Sequence, residues 1–232
     1  MQYNEYKYVI ELDRVPYAVA LLESMYGNTD PYAHGTVNSL YYDTLAMAFF
    51  QQCTTGNEIK SKYRVRWYDG GLYQAQIKEK DLYGIGKVKA KLGLPVGTPI
   101  SALPQFWHDL PFGEGDAAAQ TILARARRIG PLFPVAHVRY HRRRYRSFDF
   151  RMNIDTNIEV RSNPLHPVGV VTEVRIPLAV LEIKTKQDRP ILPFLAALSL
   201  RQDSFSKYGL GMQLVFREAD ALNKYLVVPG VQ

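Results

Sequence analysis

Residues 58–71 run EIKSKYRVRWYDGG. Lys60, Lys62, Arg64 and Arg66 fall on alternate positions, and Ile59, Ser61, Tyr63, Val65 and Trp67 stand between them. In a strand, successive side chains point to opposite faces. The segment therefore carries four cations on one side and mostly apolar groups on the other. Asp69, Gly70 and Gly71 then offer the residues of a hairpin turn. What the cationic side faces decides the fold: solvent, or an enclosed space.

The pattern recurs along the chain. Gln74, Gln76, Lys78 and Lys80 share one face of the next segment, and Lys87, Lys89 and Lys91 one face of the segment after it. Arg142, Arg144 and Arg146 alternate with His141, Arg143 and Tyr145. Arg151, Asn153 and Asp155 oppose Met152 and Ile154; Glu182, Lys184 and Lys186 oppose Leu181 and Ile183; Glu5 and Lys7 share a side near the start. An antiparallel sheet with one wet face also alternates. Such a face, however, interleaves acids with bases, because like charges on neighbouring strands repel. Rows so rich in Lys and Arg need an anion. The polar faces line a groove or the inside of a closed barrel. The expectation is an α+β fold of about eight strands, an antiparallel β-barrel with a charged interior and helices packed outside on Tyr63, Val65, Trp67, Ile77 and their counterparts. Closing a sheet also removes its exposed edges.

Strand patterns cover 6–12, 36–44, 59–69, 72–80, 86–94, 135–150, 151–160 and 171–186. Helices are expected at 14–26, with Asp13 as N-cap and Gly27 closing, at 45–52, at 116–130 with Asp116 as N-cap, at 190–200 and at 217–226. Residues 93–115, rich in Pro and Gly, form a connection. No repeat or linker divides the chain, so one domain spanning 1–232 is expected.

The 232 residues are 47% hydrophobic and 22% charged, enough for a large core. A lone cysteine, Cys53, excludes an internal disulfide and fits a reducing compartment. No apolar run is long enough to span a membrane, and the first residues lack the features of a signal peptide, so a cytoplasmic location is expected. The net charge of +7 favours a polyanionic partner. Nucleic-acid grooves interleave aromatics with cations. Here Tyr63 and Trp67 fall opposite the cations, which argues against nucleic acid and for an anion made of phosphate. Lys and Arg both donate to phosphate oxygens, Arg in bidentate fashion. There is no P-loop, HExxH or paired CxxC signature. His34, His108, His137, His141 and His166 are scattered and suggest no metal cluster. Glu182 can pair with Lys184 and Asp155 with an arginine; Ser206 can cap a helix, and Asp43 can form a turn with Thr44.

The ordered set NEYKYVI, SLYYDT, SKYRVRWY, QIKEK, YHRRRYRS, RMNIDTNI, LEIKTK and FSKYGLGM resembles the VTC domain, the polyphosphate polymerase domain of the vacuolar transporter chaperone complex and its bacterial relatives. That family belongs to the triphosphate tunnel metalloenzyme, or CYTH-like, superfamily. The resemblance runs from about residue 3 to about residue 213. It implies an eight-stranded tunnel that binds polyphosphate and moves the γ-phosphate of ATP onto a growing chain with Mn²⁺ or Mg²⁺. Carried over, Arg64, Arg66, Lys78, Arg142, Arg151 and Lys207 become catalytic cations. Lys7, Lys62, Lys89, Lys184 and Ser206 become phosphate ligands, with the register among Lys87, Lys89 and Lys91 open. Glu182 and Glu5 become metal ligands.

The sequence also departs from the pattern. Tyr3 replaces a first-strand Glu, Gln76 a common Glu, and Ser204 an extra Lys. Fewer carboxylates weigh against two-metal hydrolysis. The implied partners are ATP and polyphosphate, with a membrane protein as a further partner and the oligomeric state open. Alternatives are an inorganic tri- or polyphosphatase and a non-catalytic polyphosphate or inositol-phosphate binding module.

Overall fold

The computed structural model describes residues 4–27, 30–55, 57–69, 71–81, 84–163, 172–188 and 192–226; Tyr3 and His166 lie outside them. Nine antiparallel strands form among these residues: β1 (Asn4–Glu11), β2 (His34–Asp43), β3 (Lys60–Tyr68), β4 (Gln74–Asp81), β5 (Gly84–Lys91), β6 (Phe133–Arg146), β7 (Phe150–Ser162), β8 (Glu173–Ile176) and β9 (Leu178–Thr185). Eight pair in the order β1-β9-β7-β6-β2-β3-β4-β5, and β8 adds to β7 beside that path. The segment expected as one strand at 171–186 is two, parted at Pro177, which has no N–H to give to a ladder.

The sheet is curled. Five strands separate β1 from β4 along the path, yet Lys78 Nζ of β4 lies 2.8 Å from Glu5 Oε1 of β1. In a flat sheet those strands would stand roughly 29 Å apart, at about 4.8 Å per step. Among the described residues no strand pairing joins β5 to β1. Side chains bridge the seam instead.

The apolar sides of the strands face outward, under helices α1 (Val15–Tyr26), α3 (Ala117–Ile129) and α4 (Pro193–Ala197). Leu40, Tyr42, Tyr63, Val65 and Ile77 are buried with Trp107, Leu110 and Ile122 from α3 and the segment before it. Ile10, Met152, Ile154, Leu181 and Ile183 are buried with Ala18 and Leu22 of α1 and Phe194 of α4. Asp116 caps α3 by accepting from the amides of Ala118 and Ala119. Asp13 does not cap α1. A 3₁₀ turn at Leu12–Arg14 comes first, Arg14 stands at the N-cap without a side-chain bond, and Pro16 pre-sets the first turn.

Helix α5 (Lys207–Leu226) starts ten residues earlier than expected and lies on the inner side of the curl. Its Tyr208, Met212 and Val215 pack with Val37, Tyr41, Val138, Ile158 and Val160 of the sheet. The short α2 (Ala48–Thr54) packs beside it. The interior is therefore shared between a dry part filled by α5 and a wet, cationic part. A Cβ on Gly211 would sit 2.3 Å from Val160 Cγ2, and one on Gly209 2.9 Å from Cys53 Cβ. Only glycine lets the helix seat this closely.

Strand β7 serves both parts because of a bulge. Asn157 has a φ of 50°, and the register with β6 shifts between Arg139 and His141. The extra residue changes which side chains point inward. Asn153 and Asp155 face the wet part before the bulge, while Ile158 and Val160 face α5 after it.

Candidate active site

The wet interior is a cavity of about 430 Å³ lined by eleven cations and two carboxylates. The cations are Lys7, Lys62, Arg64, Arg66, Lys78, Lys87, Lys89, Arg142, Arg151, Lys184 and Lys207; the carboxylates are Glu5 and Glu182. Ser206 also lines it. Every site residue expected from the sequence thus borders one space. A second space of about 430 Å³ shares Glu5, Lys7, Lys62, Lys78 and Ser206, and continues past Lys60 and Lys80 along residues 202–206 as a mouth.

On the β2–β5 wall, strand register places Arg64 between Tyr41 and Gln76, and Arg66 between Ser39 and Gln74. Arg64 Nε and Nη2 donate to Gln76 Oε1 at 3.3 and 3.1 Å, and Nη1 donates to the Tyr41 hydroxyl at 3.0 Å. Arg66 Nε donates to Ser39 Oγ at 2.9 Å and Nη2 to the Tyr140 hydroxyl at 3.2 Å. Both guanidiniums are buried, and hydroxyl and amide oxygens, not carboxylates, brace them. Lys62 Nζ donates to Ser206 Oγ at 2.9 Å. Ser206 also caps α5, accepting from the Gly209 amide. Lys87 stands across from Lys78, and Lys89 across from Gln76. Lys87 and Lys89 both line the cavity; Lys91, across from Gln74, does not. Partial burial and the charges of Arg64, Arg66 and Lys89 push the Lys87 pKa down to about 6.

The β6–β7–β9–β1 wall is built with acids. Arg142 forks onto Asp155 at 2.6 and 2.8 Å, and Lys207 Nζ lies 2.7 Å from the same carboxylate. Burial would raise the Asp155 carboxyl, but Arg142 and Lys207 outweigh it and hold it below the usual range. Lys184 Nζ is 3.1 Å from Glu182 and 3.4 Å from Glu5. Lys78 donates to both oxygens of Glu5 at 2.8 and 2.9 Å. Lys7 donates to the Phe205 carbonyl at 2.8 Å and lies 3.7 Å from Glu5. Burial and the nearby Glu182 push Glu5 up, yet Lys78, Lys184 and Lys7 hold it down at about 2. Glu182 is likewise raised by burial but held well below the ordinary carboxylate range by Lys184, Arg142 and Lys7. The Lys7 pKa falls to about 8, through burial first and Lys62 second.

No group of three or more His, Cys, Asp and Glu side chains stands ready for a metal among the described residues. Glu5 and Glu182 fit a hard divalent ion in one mode: one or two carboxylates hold it, and phosphate oxygens and water complete the shell.

Three tyrosines escaped the sequence reading. Tyr41, Tyr68 and Tyr140 line the cavity among the cations. Arg142 lies over the Tyr140 ring at 5.3 Å, and Lys207 at 4.9 Å. Tyr68 could have been found, since it shares the parity of Arg64 and Arg66. Lys87 was foreseeable only as one of three.

A curled antiparallel sheet around a bore lined mostly by cations defines a tunnel protein suited to anions. The chain belongs to the VTC domain family, whose model it matches over residues 2–216. Among solved structures it is similar to one from Bacillus halodurans described as a "putative adenylate cyclase", with TM-score 0.55 and 14% identity, covering 89% of this chain and 96% of that one. A Vibrio parahaemolyticus protein of the same description matches with TM-score 0.48 and 12% identity, over 89% and 95% of the two chains. Curated protein sequences give no match. Family and fold together set the chain in the triphosphate tunnel superfamily, among phosphate-handling enzymes. No helix among the described residues is long and apolar enough to cross a membrane.

Proposed function

We propose that this chain is a polyphosphate polymerase that transfers the γ-phosphate of ATP onto a polyphosphate chain held in the tunnel. The observation that carries it is the excess of eleven cations over two carboxylates around one cavity. Phosphoryl transfer asks the protein for in-line positioning and charge neutralisation more than for covalent help. Arg64, Arg66, Arg142 and Arg151 hold nonbridging oxygens. Lys7, Lys62, Lys78, Lys89, Lys184 and Lys207, with the Ser206 hydroxyl, fix the flanking phosphates. A terminal oxygen of the polyphosphate attacks the γ-phosphorus, the bond to the β-phosphate oxygen breaks, and ADP leaves. The attacking oxygen is already anionic, so no general base is needed. Glu182 and Glu5 would hold Mg²⁺ or Mn²⁺, which when bound supplies further charge neutralisation to the phosphates.

Incubation of the protein with ATP and Mn²⁺, followed by polyphosphate staining and ADP measurement, tests this. Growth of polyphosphate with matching ADP is expected. Orthophosphate release from tripolyphosphate without growth would show a hydrolase, pyrophosphate release without growth a nucleotide cyclase, and tight binding without turnover a binding module. Each of those outcomes sinks the polymerase.

A further inference from the structure

Among the described residues Arg64 has no acidic partner, and the group standing in that place is Tyr41. Tyr41 sits directly across from Arg64 in the β2–β3 ladder, and its hydroxyl accepts from Arg64 Nη1 at 3.0 Å. The residue is buried at 5% exposure, yet it borders the cavity. Its ring is stacked on Tyr208 of α5, with centroids 4.7 Å apart and planes 7° from parallel. The Tyr208 hydroxyl is committed elsewhere, donating to Asp43 Oδ2 at 2.7 Å, and Asp43 is itself taken up by the amides of Phe49 and Phe50. From β3, Arg64, Arg66 and Lys62 act on the Tyr41 hydroxyl; from β6, the residue across the ladder is the apolar Ala136. The largest charge effects on this buried oxygen thus come from three cations, Arg64, Arg66 and Lys62, and the nearby Asp43 is already held by Tyr208 and two backbone amides.

We propose that Tyr41 is a positioning residue that braces Arg64 and serves as the internal counter-ion of this wall, yielding that role when a phosphate chain enters. The proposal rests on the tunnel's binding phosphate. Burial would raise the hydroxyl, but Arg64, Arg66 and Lys62 outweigh it and bring its pKa down to about 7. Above that pH the empty tunnel holds a phenolate. Entering phosphates neutralise the same cations, the pKa climbs back toward its ordinary value of about 10, and the phenolate takes one proton from solvent. Binding that takes up a proton weakens as pH rises, so this group lowers affinity above about pH 7 and leaves it flat below.

The test measures tripolyphosphate affinity by calorimetry from about pH 6 to about pH 9 in wild type and Tyr41→Phe. Phenylalanine keeps the ring on Tyr208. The titrations of Lys87, Lys7, Tyr68 and the ligand are common to both proteins. Above pH 7 the wild-type curve is expected to be steeper, by up to about tenfold per pH unit, the slope of one proton. Tyrosinate absorbance in the empty protein is a second readout. Tyr68 lines the same cavity; burial would raise its hydroxyl, but the neighbouring arginines lower it too. The readout is therefore the difference between the two proteins: a component present at about pH 8, quenched by tripolyphosphate, lost in Tyr41→Phe and moved to higher pH in Arg64→Gln. Parallel affinity curves, or a tyrosinate signal left unchanged by Tyr41→Phe, overturn the counter-ion role while the phosphate tunnel stands. Failure of the wild type to bind tripolyphosphate at any pH overturns both.

Discussion

The two walls of the tunnel hold their arginines by different means. On the β3 side, Arg64 and Arg66 lean on Gln76, Tyr41, Ser39 and Tyr140. On the β7 side, Arg142 leans on Asp155, with Glu182 at 3.9 Å. A brace of hydroxyl and amide oxygens fixes direction and leaves the positive charge free for a ligand, which takes over from the counter-ion role proposed for Tyr41. An acidic brace fixes direction too but cancels much of the field, and it makes burial of the charge bearable. The first wall therefore keeps its charge available to an anion, and the second stays ordered while the tunnel is empty.

The sharpest break of that comparison comes from the first wall. Arg64→Ala or Arg66→Ala should abolish turnover, with a loss of at least about a hundredfold in kcat/KM, because no other group supplies a fork at that place. Stability, followed by urea unfolding, should change little in comparison. Retention of wild-type activity in both variants would refute the assignment of this wall.

On the second wall the order reverses, and Asp155→Asn should be felt first in stability. It leaves Arg142 and Lys207 buried without their carboxylate, a cost of about 3 kcal/mol by urea unfolding. The wild-type contribution is present above the unfolded carboxyl pKa of about 3.9, because the folded value is depressed. It fades as pH falls through the folded value, so the two stability curves should converge in acid. A constant gap down to the lowest pH would refute the ion-pair account.

Glu182→Gln should lower the rate by about tenfold and blunt its dependence on divalent metal, with the fold retained by circular dichroism. An unchanged metal titration would remove Glu182 from that role. The smallest effect is expected at Lys87. Its folded pKa of about 6 lies below the ordinary lysine value, so the folded state binds fewer protons than the unfolded one between them. Stability should rise with pH through that window, and Lys87→Met should flatten the rise while weakening tripolyphosphate binding slightly.

Much of this was legible because β-strands write their faces in alternate letters. The period of two in 58–71 predicted that Arg64 and Arg66 share a side with Lys62, and the same parity in 72–80 and 182–184 predicted the convergence of Lys78, Glu182 and Lys184. What the letters hid was context. Gly209 and Gly211 argue against a helix, so α5 appeared to begin at 217; their reason is the nearness of Cys53 and Val160, which no local pattern reports. Tyr41 and Tyr140 give no sign of their role, because an aromatic in a strand carries no mark of whether its hydroxyl will meet an arginine. Asp13 has the chemistry of an N-cap but stands inside a 3₁₀ turn one step too early.

Asn157 gives β7 something like a reading frame. Strand faces are counted in twos, and the single left-handed residue at 157 shifts the count by one. Removing it would work as a frameshift does: every side chain on one flank would exchange inside for outside. Either Asn153 and Asp155 would turn away from the bore, or Ile158 and Val160 would turn away from α5. A one-residue deletion at this point is thus expected to be worse than any substitution there, and two compensating deletions to be milder than one.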